Sequence, residues 1–149
     1  MRDQPDSAQE LHARALRLLA RREHSRAELA RKLGPRAESA EALAALLDAL
    51  ERKRQLSDER YAAERVRTLS RKYGAAKIRQ DLKARGVAGE LIRRVSSEGE
   101  LEAARAILQR KYRNPAGTRA ERAKRARFLQ GRGFSYEIIQ KLLSARSAD

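Results

Sequence analysis

The chain has 149 residues and a formal net charge of +15 at pH 7, from 35 Lys and Arg against 20 Asp and Glu. A positive surplus of this size calls for an anionic partner, such as nucleic acid or an acidic protein surface. Because the sequence contains no cysteine, a disulfide scaffold, a thiolate zinc site and a cysteine nucleophile are excluded. No apolar run approaches the length of a membrane span and no signal sequence is predicted, so we expect a cytoplasmic protein.

Residue usage predicts an all-α fold. Ala and Leu together supply 46 residues, whereas Val, Ile and Thr, which favour strands, supply only 10. Charged residues make up 37% of the chain and aromatic residues 4%, a composition close to that of disordered proteins. The apolar residues nevertheless recur at helical spacing, which indicates a folded chain with a thin core.

The first predicted unit follows a short polar start. Residues 1–6 are predicted to be disordered, and apolar side chains at helical spacing then predict three helices within residues 7–54. Ser25 and Glu28, three positions apart, predict a capping box at the start of the second helix. The pair Gly34-Pro35 is predicted to end that helix.

The pattern restarts twice, in residues 57–97 and in residues 98–145. Internal matches support a repeat, because Leu82-x-x-Arg85-Gly86-Val87 aligns with Leu129-x-x-Arg132-Gly133-Phe134. A second block, Arg71-Lys72-Tyr73, aligns with Arg110-Lys111-Tyr112. The sequence therefore predicts three tandem three-helix repeats in an elongated arrangement.

Positive charge follows the same repeat. The net charges of residues 14–36, 65–85 and 110–132 are +6, +7 and +8, so the rest of the chain sums to −6. Three basic patches in register favour a long and periodic partner, although solvated helix faces would give the same composition. The predicted partner-binding or nucleic-acid-binding residues are Arg71, Lys72, Lys77, Arg79, Lys83, Arg85, Arg110, Lys111, Arg113, Arg122, Lys124, Arg125, Arg127 and Arg132.

Catalytic and metal-binding patterns are absent from the sequence. The two histidines lack acidic residues at metal-ligand spacing, and no phosphate-binding glycine loop or nucleophile elbow occurs. Glu98, Glu100 and Glu102 are interpreted as acidic residues at a helix start rather than as a catalytic pair. We therefore expect a binding protein with no cofactor and no metal, and not an enzyme.

The aromatic residues divide into two groups. Tyr73 and Tyr112 end apolar stripes beside basic pairs, so packing is favoured over stacking on a partner. Phe134 aligns with a valine of the previous repeat and is predicted to lie in the core. Tyr61 and Tyr136 have no counterparts in the repeat and are the better candidates for exposed aromatic contacts.

Four segments of this sequence resemble the bacterial RecX family over about residues 10–144. They are Leu56–Ala62 (LSDERYA), Arg71–Gly74 (RKYG), Leu82–Val87 (LKARGV) and Arg127–Ser135 (RFLQGRGFS). The resemblance implies three helical repeats in a curved body that lies in the groove of the RecA filament. It also implies contact with successive protomers and suppression of ATP hydrolysis, strand exchange and filament growth. Because the composition points to nucleic acid, we also expect binding of single- and double-stranded DNA, and we expect a monomer.

Two further interpretations remain open at this stage. The runner-up is a basic helical protein that binds DNA or RNA without RecA, since a short second helix and turn could imitate helix-turn-helix geometry. A ribosome-associated basic protein fits the charge but does not require repeats. One departure from the repeat is that Arg125 stands where Ile78 stands in the preceding repeat, so the helix around Arg125 is expected to pack less tightly and to present more charge.

Overall fold

The computed structural model describes residues 4–144 and is all-α over that range, which confirms the predicted fold class. One 3-10 turn, Gly34–Arg36, follows the second helix. In chain order the helices are α1 (Ala8–Arg21), α2 (Arg26–Leu33), α3 (Ala40–Arg52), α4 (Asp58–Leu69), α5 (Ala75–Ala84), α6 (Gly89–Arg93), α7 (Glu100–Lys111), α8 (Arg119–Gly131) and α9 (Tyr136–Ser144).

Several helices begin at hydroxyl side chains. Ser7, Ser39 and Thr118 each accept a hydrogen bond from the backbone N–H three residues further on. Ser57 does the same for Arg60 at 3.1 Å. A cap of this kind stabilises a helix by about 1 kcal/mol because it satisfies an N–H that has no partner within the helix.

The capping box predicted at α2 is wrong in its second half. Ser25 Oγ accepts from the backbone N–H of Glu28 at 3.0 Å, as predicted. The Glu28 carboxylate instead accepts two hydrogen bonds from the Arg22 guanidinium, at 2.6 and 3.1 Å. Glu28 is buried, and a planar guanidinium satisfies both oxygens of a buried carboxylate better than one backbone N–H can.

The described chain divides into two compact units. Unit one contains the described residues up to Glu64 together with Leu82–Ile92, and unit two contains Arg65–Asp81 together with the described residues from Arg93 onward. The boundaries therefore fall inside α4, α5 and α6. The predicted disordered segment 1–6 lies partly outside the described residues. At its end, Asp6 is buried and its carboxylate is ion-paired to Arg14 and Arg36.

Each unit has its own apolar core. The core of unit one joins α1, α2 and α3, and its buried members are Leu11, Ala15, Leu29, Leu33, Leu47, Leu50 and Leu56. The core of unit two joins α7, α8 and α9, and its buried members are Ala104, Ile107, Leu129, Phe134 and Ile139. Phe134 is buried as predicted. Both cores consist largely of small and aliphatic residues, which agrees with the thin core expected from composition.

The turn between α5 and α6 approaches the start of α2 closely within unit one. Gly86 has a φ of +78°, and a Cβ added to it would lie 2.5 Å from the Cβ of Ala27. The carbonyl of Arg85 accepts a hydrogen bond from Ser25 Oγ at 3.1 Å. Only glycine combines this backbone conformation with so short an approach.

The turn between α8 and α9 makes the same kind of approach to the start of α5 within unit two. Gly133 has a φ of +92°, and an added Cβ would lie 2.5 Å from the Cβ and 2.7 Å from the backbone N of Lys77. The carbonyl of Arg132 accepts from the backbone N–H of Gly74 at 2.8 Å. Gly74 is itself required, because a Cβ there would lie 2.5 Å from the Gly133 carbonyl oxygen.

Replacing Gly133 by alanine should destabilise the protein far more than the same change at Gly99. Both residues have positive φ, but nothing lies within 4 Å of a Cβ at Gly99. Gly99→Ala should therefore cost only the backbone strain, about 1–2 kcal/mol. Gly133→Ala must also displace the Lys77 backbone, so we expect about 3 kcal/mol or more. Urea unfolding followed by circular dichroism compares the two, and equal losses would contradict the close approach.

Glu28 should make unit one less stable in acid. Hydrogen bonding from Arg22 lowers the pKa of Glu28 to about 2 from its ordinary 4.5. The ion pair therefore stabilises the fold fully above pH 4.5, and this contribution is lost as the pH falls towards 2. It amounts to at most about 3 kcal/mol, and less with added salt because the Arg22 side chain is 46% exposed.

Glu28→Gln is the matched variant for this effect. Urea unfolding should find wild type more stable than the variant at pH 7 and equal to it near pH 2. A constant difference across that range would show that Glu28 does not titrate with the lowered pKa.

Candidate partner-binding surface

The fourteen predicted cations lie mainly in unit two. Lys83 and Arg85 belong to unit one, and the other twelve lie in the α4–α5 turn, in α5, at the end of α7 and along α8. The structure divides the set by what each side chain contacts. One group is held by aromatic rings and backbone carbonyls, and the other extends into solvent.

Three half-buried rings of unit two alternate with four cations in a continuous series, here called the cation–ring row. At one end, Tyr73 lies between two positive groups: Lys77 Nζ is 5.8 Å and the Arg132 guanidinium 5.4 Å from the ring centre. The same guanidinium lies 5.2 Å from the Phe128 ring. In order, the members of the row are Lys77, Tyr73, Arg132, Phe128, Lys111, Tyr112 and Arg125.

The other end of the row is centred on Tyr112. Lys111 Nζ lies 4.7 Å from the Phe128 ring and 5.8 Å from the Tyr112 ring. The Arg125 guanidinium lies 4.2 Å from the Tyr112 ring. Tyr112 and Phe128 meet edge to face, with ring centres 6.2 Å apart. Each cation–ring contact stabilises by about 0.5–1 kcal/mol at a partly exposed site, so the row fixes the positions of its cations.

Arg125 belongs to this row, although its alignment with the buried Ile78 predicts a loosely packed α8. The Arg125 guanidinium packs on the Tyr112 ring, so this contact takes the place of the aliphatic packing that an isoleucine would make. Tyr73 and Tyr112 are half-buried, which agrees with packing, although their packing partners include cations.

Backbone carbonyls hold three guanidinium groups of unit two, and one of these, Arg132, also belongs to the row. Arg132 donates to the carbonyl oxygen of Lys72 at 3.1 Å, and Arg110 donates to that of Arg71 at 3.0 Å. Arg79 donates to the carbonyl oxygen of Val95 at 3.2 Å. These arginines join separate segments of unit two, so part of the predicted binding set is structural.

Six of the eight remaining predicted cations form a free set. These side chains are exposed, and within residues 4–144 they have no hydrogen-bond, ion-pair or ring partner. Arg85 and Arg122 are half-buried and are not counted in this set. The free set comprises Arg71, Lys72, Lys83, Arg113, Lys124 and Arg127.

One expectation about a single aromatic residue was wrong. Tyr61, expected to be exposed, is only 2% exposed, and its hydroxyl has no partner in the described part of the chain. Tyr136 is 75% exposed, as predicted. Glu100 and Glu102 lie in the first turn of α7, as predicted. Glu100 is in addition buried and accepts a hydrogen bond from the backbone N–H of Ala75 at the start of α5. Its spacing of four and seven from Ala104 and Ile107 placed it on the buried stripe.

The described residues contain no group of three or more His, Cys, Asp or Glu able to hold a metal ion. Over the same range, no helix is long and apolar enough to cross a lipid bilayer.

Comparison with known proteins identifies the family. Family models named RecX, second three-helix domain, and RecX, third three-helix domain, match residues 57–95 and 98–143. Regulatory protein RecX of Ralstonia nicotianae is 40% identical, over 93% of this chain and 89% of its own length. That of Herbaspirillum seropedicae is 43% identical, over 88% and 87%. The chain belongs to the RecX family. The resemblance found in the sequence motifs is thereby confirmed.

Solved RecX structures have the same fold. The crystal structure of RecX from Lactobacillus salivarius matches with a TM-score of 0.83 at 19% identity, over 95% of this chain and 97% of that one. A second RecX crystal structure matches with a TM-score of 0.77 at 24% identity, over 93% and 73%. The two three-helix family domains support the helical repeats, while the exact limits of the three repeats stay a prediction.

The division into held and free cations predicts different costs of substitution. Arg132→Ala removes the hydrogen bond to Lys72 and contacts with two rings, so we expect a loss of about 1–3 kcal/mol in unfolding free energy. Arg127→Ala, on the same helix, removes a side chain with no partner and should change stability by less than about 0.5 kcal/mol. Urea unfolding at pH 7 measures both, and a similar loss in the two variants would contradict the division.

Proposed function

We propose that this protein binds the RecA recombinase filament and inhibits its ATPase, its strand exchange and its extension. The observation that carries the proposal is membership of the RecX family across about nine-tenths of the chain. The curated relatives are named regulatory proteins, which favours a regulator over an enzyme. The filament encloses DNA, so its partner meets phosphates and acidic side chains, and a chain of +15 is matched to both.

The two groups of cations have different roles in this proposal. The cation–ring row and the carbonyl-bound arginines fix the backbone of the α4–α5 turn and α8. The free set then meets the partner from a rigid support, which lowers the entropy lost on binding. Arg71, Lys72, Lys124 and Arg127 are the members that we assign to the interface.

Repetition supports a filament partner. Successive helical repeats, each with basic residues, can engage successive protomers of a regular lattice. Once one repeat is bound, the next is held at high effective concentration, so the affinities multiply. Inhibition follows when one molecule holds neighbouring protomers in a single arrangement and blocks the change that accompanies ATP hydrolysis.

A second candidate is a basic protein that binds DNA or RNA without RecA. It is favoured by one observation, the unpaired positive side chains of unit two beside half-exposed rings. Such side chains contact phosphates but do not read bases, so this binding would be independent of sequence and strongly dependent on salt.

A titration of RecA filament ATPase at fixed DNA concentration tests the first candidate. We expect hydrolysis to fall as the protein is added, at protein concentrations too low to cover the DNA. If hydrolysis falls only when the DNA is saturated, competition for DNA explains the effect and the second candidate is favoured.

The double variant Lys124→Glu/Arg127→Glu should weaken this inhibition about tenfold. Two lost surface contacts of about 0.7 kcal/mol each give that factor. The matched control is Arg52→Glu/Lys53→Glu, which makes the same change in net charge at exposed residues of unit one outside the predicted set. Arg110 and Lys111 are unsuitable as tests because one binds a backbone carbonyl and the other packs on two rings.

Binding of the same variants to bare DNA separates the two candidates. If both side chains meet phosphates, the slope of log affinity against log salt should fall by roughly 1.4–1.8 in the double variant. Full inhibition with reduced DNA binding would argue against the filament contact. If the double variant and its control inhibit RecA and bind DNA equally well, Lys124 and Arg127 are merely solvated surface residues and not part of the interface.

A further inference from the structure

A groove lies between α8 and α9 in unit two and is separate from the cation–ring row. Its volume is about 430 Å³, within the range of sites that bind small ligands or a few side chains. The floor is aliphatic and is formed by Ala123, Ala126, Ile139 and Leu143. Gln140 and Ser144 line one edge and hydrogen-bond to each other at 3.2 Å.

The opposite edge carries two guanidinium groups. Arg119 is exposed and Arg122 half-buried, and neither side chain has a hydrogen-bond or ion-pair partner within residues 4–144. The one acidic residue of α8, Glu121, accepts from the backbone N–H groups of Gly117 and Thr118 at 2.6 and 3.1 Å. Because its carboxylate faces the helix cap, it forms no ion pair with either arginine.

The combination of an aliphatic floor and a cationic rim selects one class of occupant. A nucleic acid could offer phosphates to the arginines, but the floor has no aromatic ring on which a base would stack. A peptide offers both components, since carboxylates suit a guanidinium fork and an apolar side chain fills an aliphatic trough. We infer that the α8–α9 groove binds an acidic segment of a protein partner, with carboxylates on Arg119 and Arg122 and an apolar side chain on the floor.

The groove and the proposed filament contact use different side chains of α8, so each site can be tested without the other. The groove also gives half-buried Arg122, excluded from the free set, a specific role.

The probe is a fluorescein-labelled eight-residue peptide with four carboxylates and a central Leu-Phe pair. Two control peptides replace the carboxylates by amides or the Leu-Phe pair by two serines. Fluorescence anisotropy with the full chain should detect binding of the first peptide, with each control at least tenfold weaker. Binding of the amide peptide as tightly as the acidic one would overturn the assignment.

Three protein variants test the groove itself. Arg122→Glu reverses the rim charge, and Ala123→Leu fills the floor from an exposed position without disturbing a buried residue. Both should weaken peptide binding at least tenfold. Arg52→Glu makes the same charge change as Arg122→Glu but lies outside the groove, and it should bind as wild type does.

Other outcomes would assign the groove differently. If Arg52→Glu and Arg122→Glu weaken peptide binding equally, the effect is due to overall charge. If Ala123→Leu leaves peptide binding unchanged, the aliphatic floor is not part of the binding site. Competition by a single-stranded DNA that depends on Arg122 and Ala123 would make nucleic acid the occupant. A dimer in sedimentation velocity that Ala123→Leu abolishes would make a second copy the occupant. Circular dichroism and unfolding midpoints identify any variant that has lost its fold.

Discussion

The close approach of an Arg-Gly turn to the first residues of an earlier helix is the constraint on which the rest of the fold depends. Gly86 meets Ala27 in unit one, and Gly133 meets Lys77 in unit two, each with a Cβ distance that no side chain would tolerate. In both places the carbonyl before the glycine accepts a hydrogen bond from the earlier segment. The turn fixes where the helices on either side of it begin, and therefore which of their faces reach solvent.

Much of the fold could be predicted because helical periodicity and helix caps are local signals. The hydroxyl residue at a helix start bonds to a backbone N–H only three residues further on, so it can be recognised in the sequence. This holds for Ser7, Ser39, Ser57 and Thr118. The role of Glu28 could not be predicted in the same way. Whether its carboxylate accepts from a backbone N–H or from the Arg22 guanidinium depends on how the end of α1 is oriented relative to α2. That orientation is set by tertiary packing.

The sequence predicted which stretches of the candidate surface are cationic, but not which of their side chains are free to bind a partner. Counting charges found the cationic stretches, whereas sequence could not tell a cation that binds a carbonyl, such as Arg110, from one that faces solvent, such as Lys124. That distinction arises when distant segments meet. Tyr61 was misjudged for a related reason, because lack of a counterpart in the repeat says nothing about burial. The contact between Arg125 and the Tyr112 ring could not be predicted either, because only folding brings the two residues together.

The two Arg-Gly turns differ in the donor that holds them, and this affects how each can change by mutation. In unit one the carbonyl is held by a serine hydroxyl, which many single codon changes remove while leaving the backbone intact. In unit two it is held by the main chain of Gly74, a donor that only proline eliminates. A substitution of Ser25 can therefore remove the first hydrogen bond and leave the backbone approach at Gly86 in place. A substitution of Gly74 disrupts the second attachment as a whole, because any Cβ there would collide with the Gly133 carbonyl.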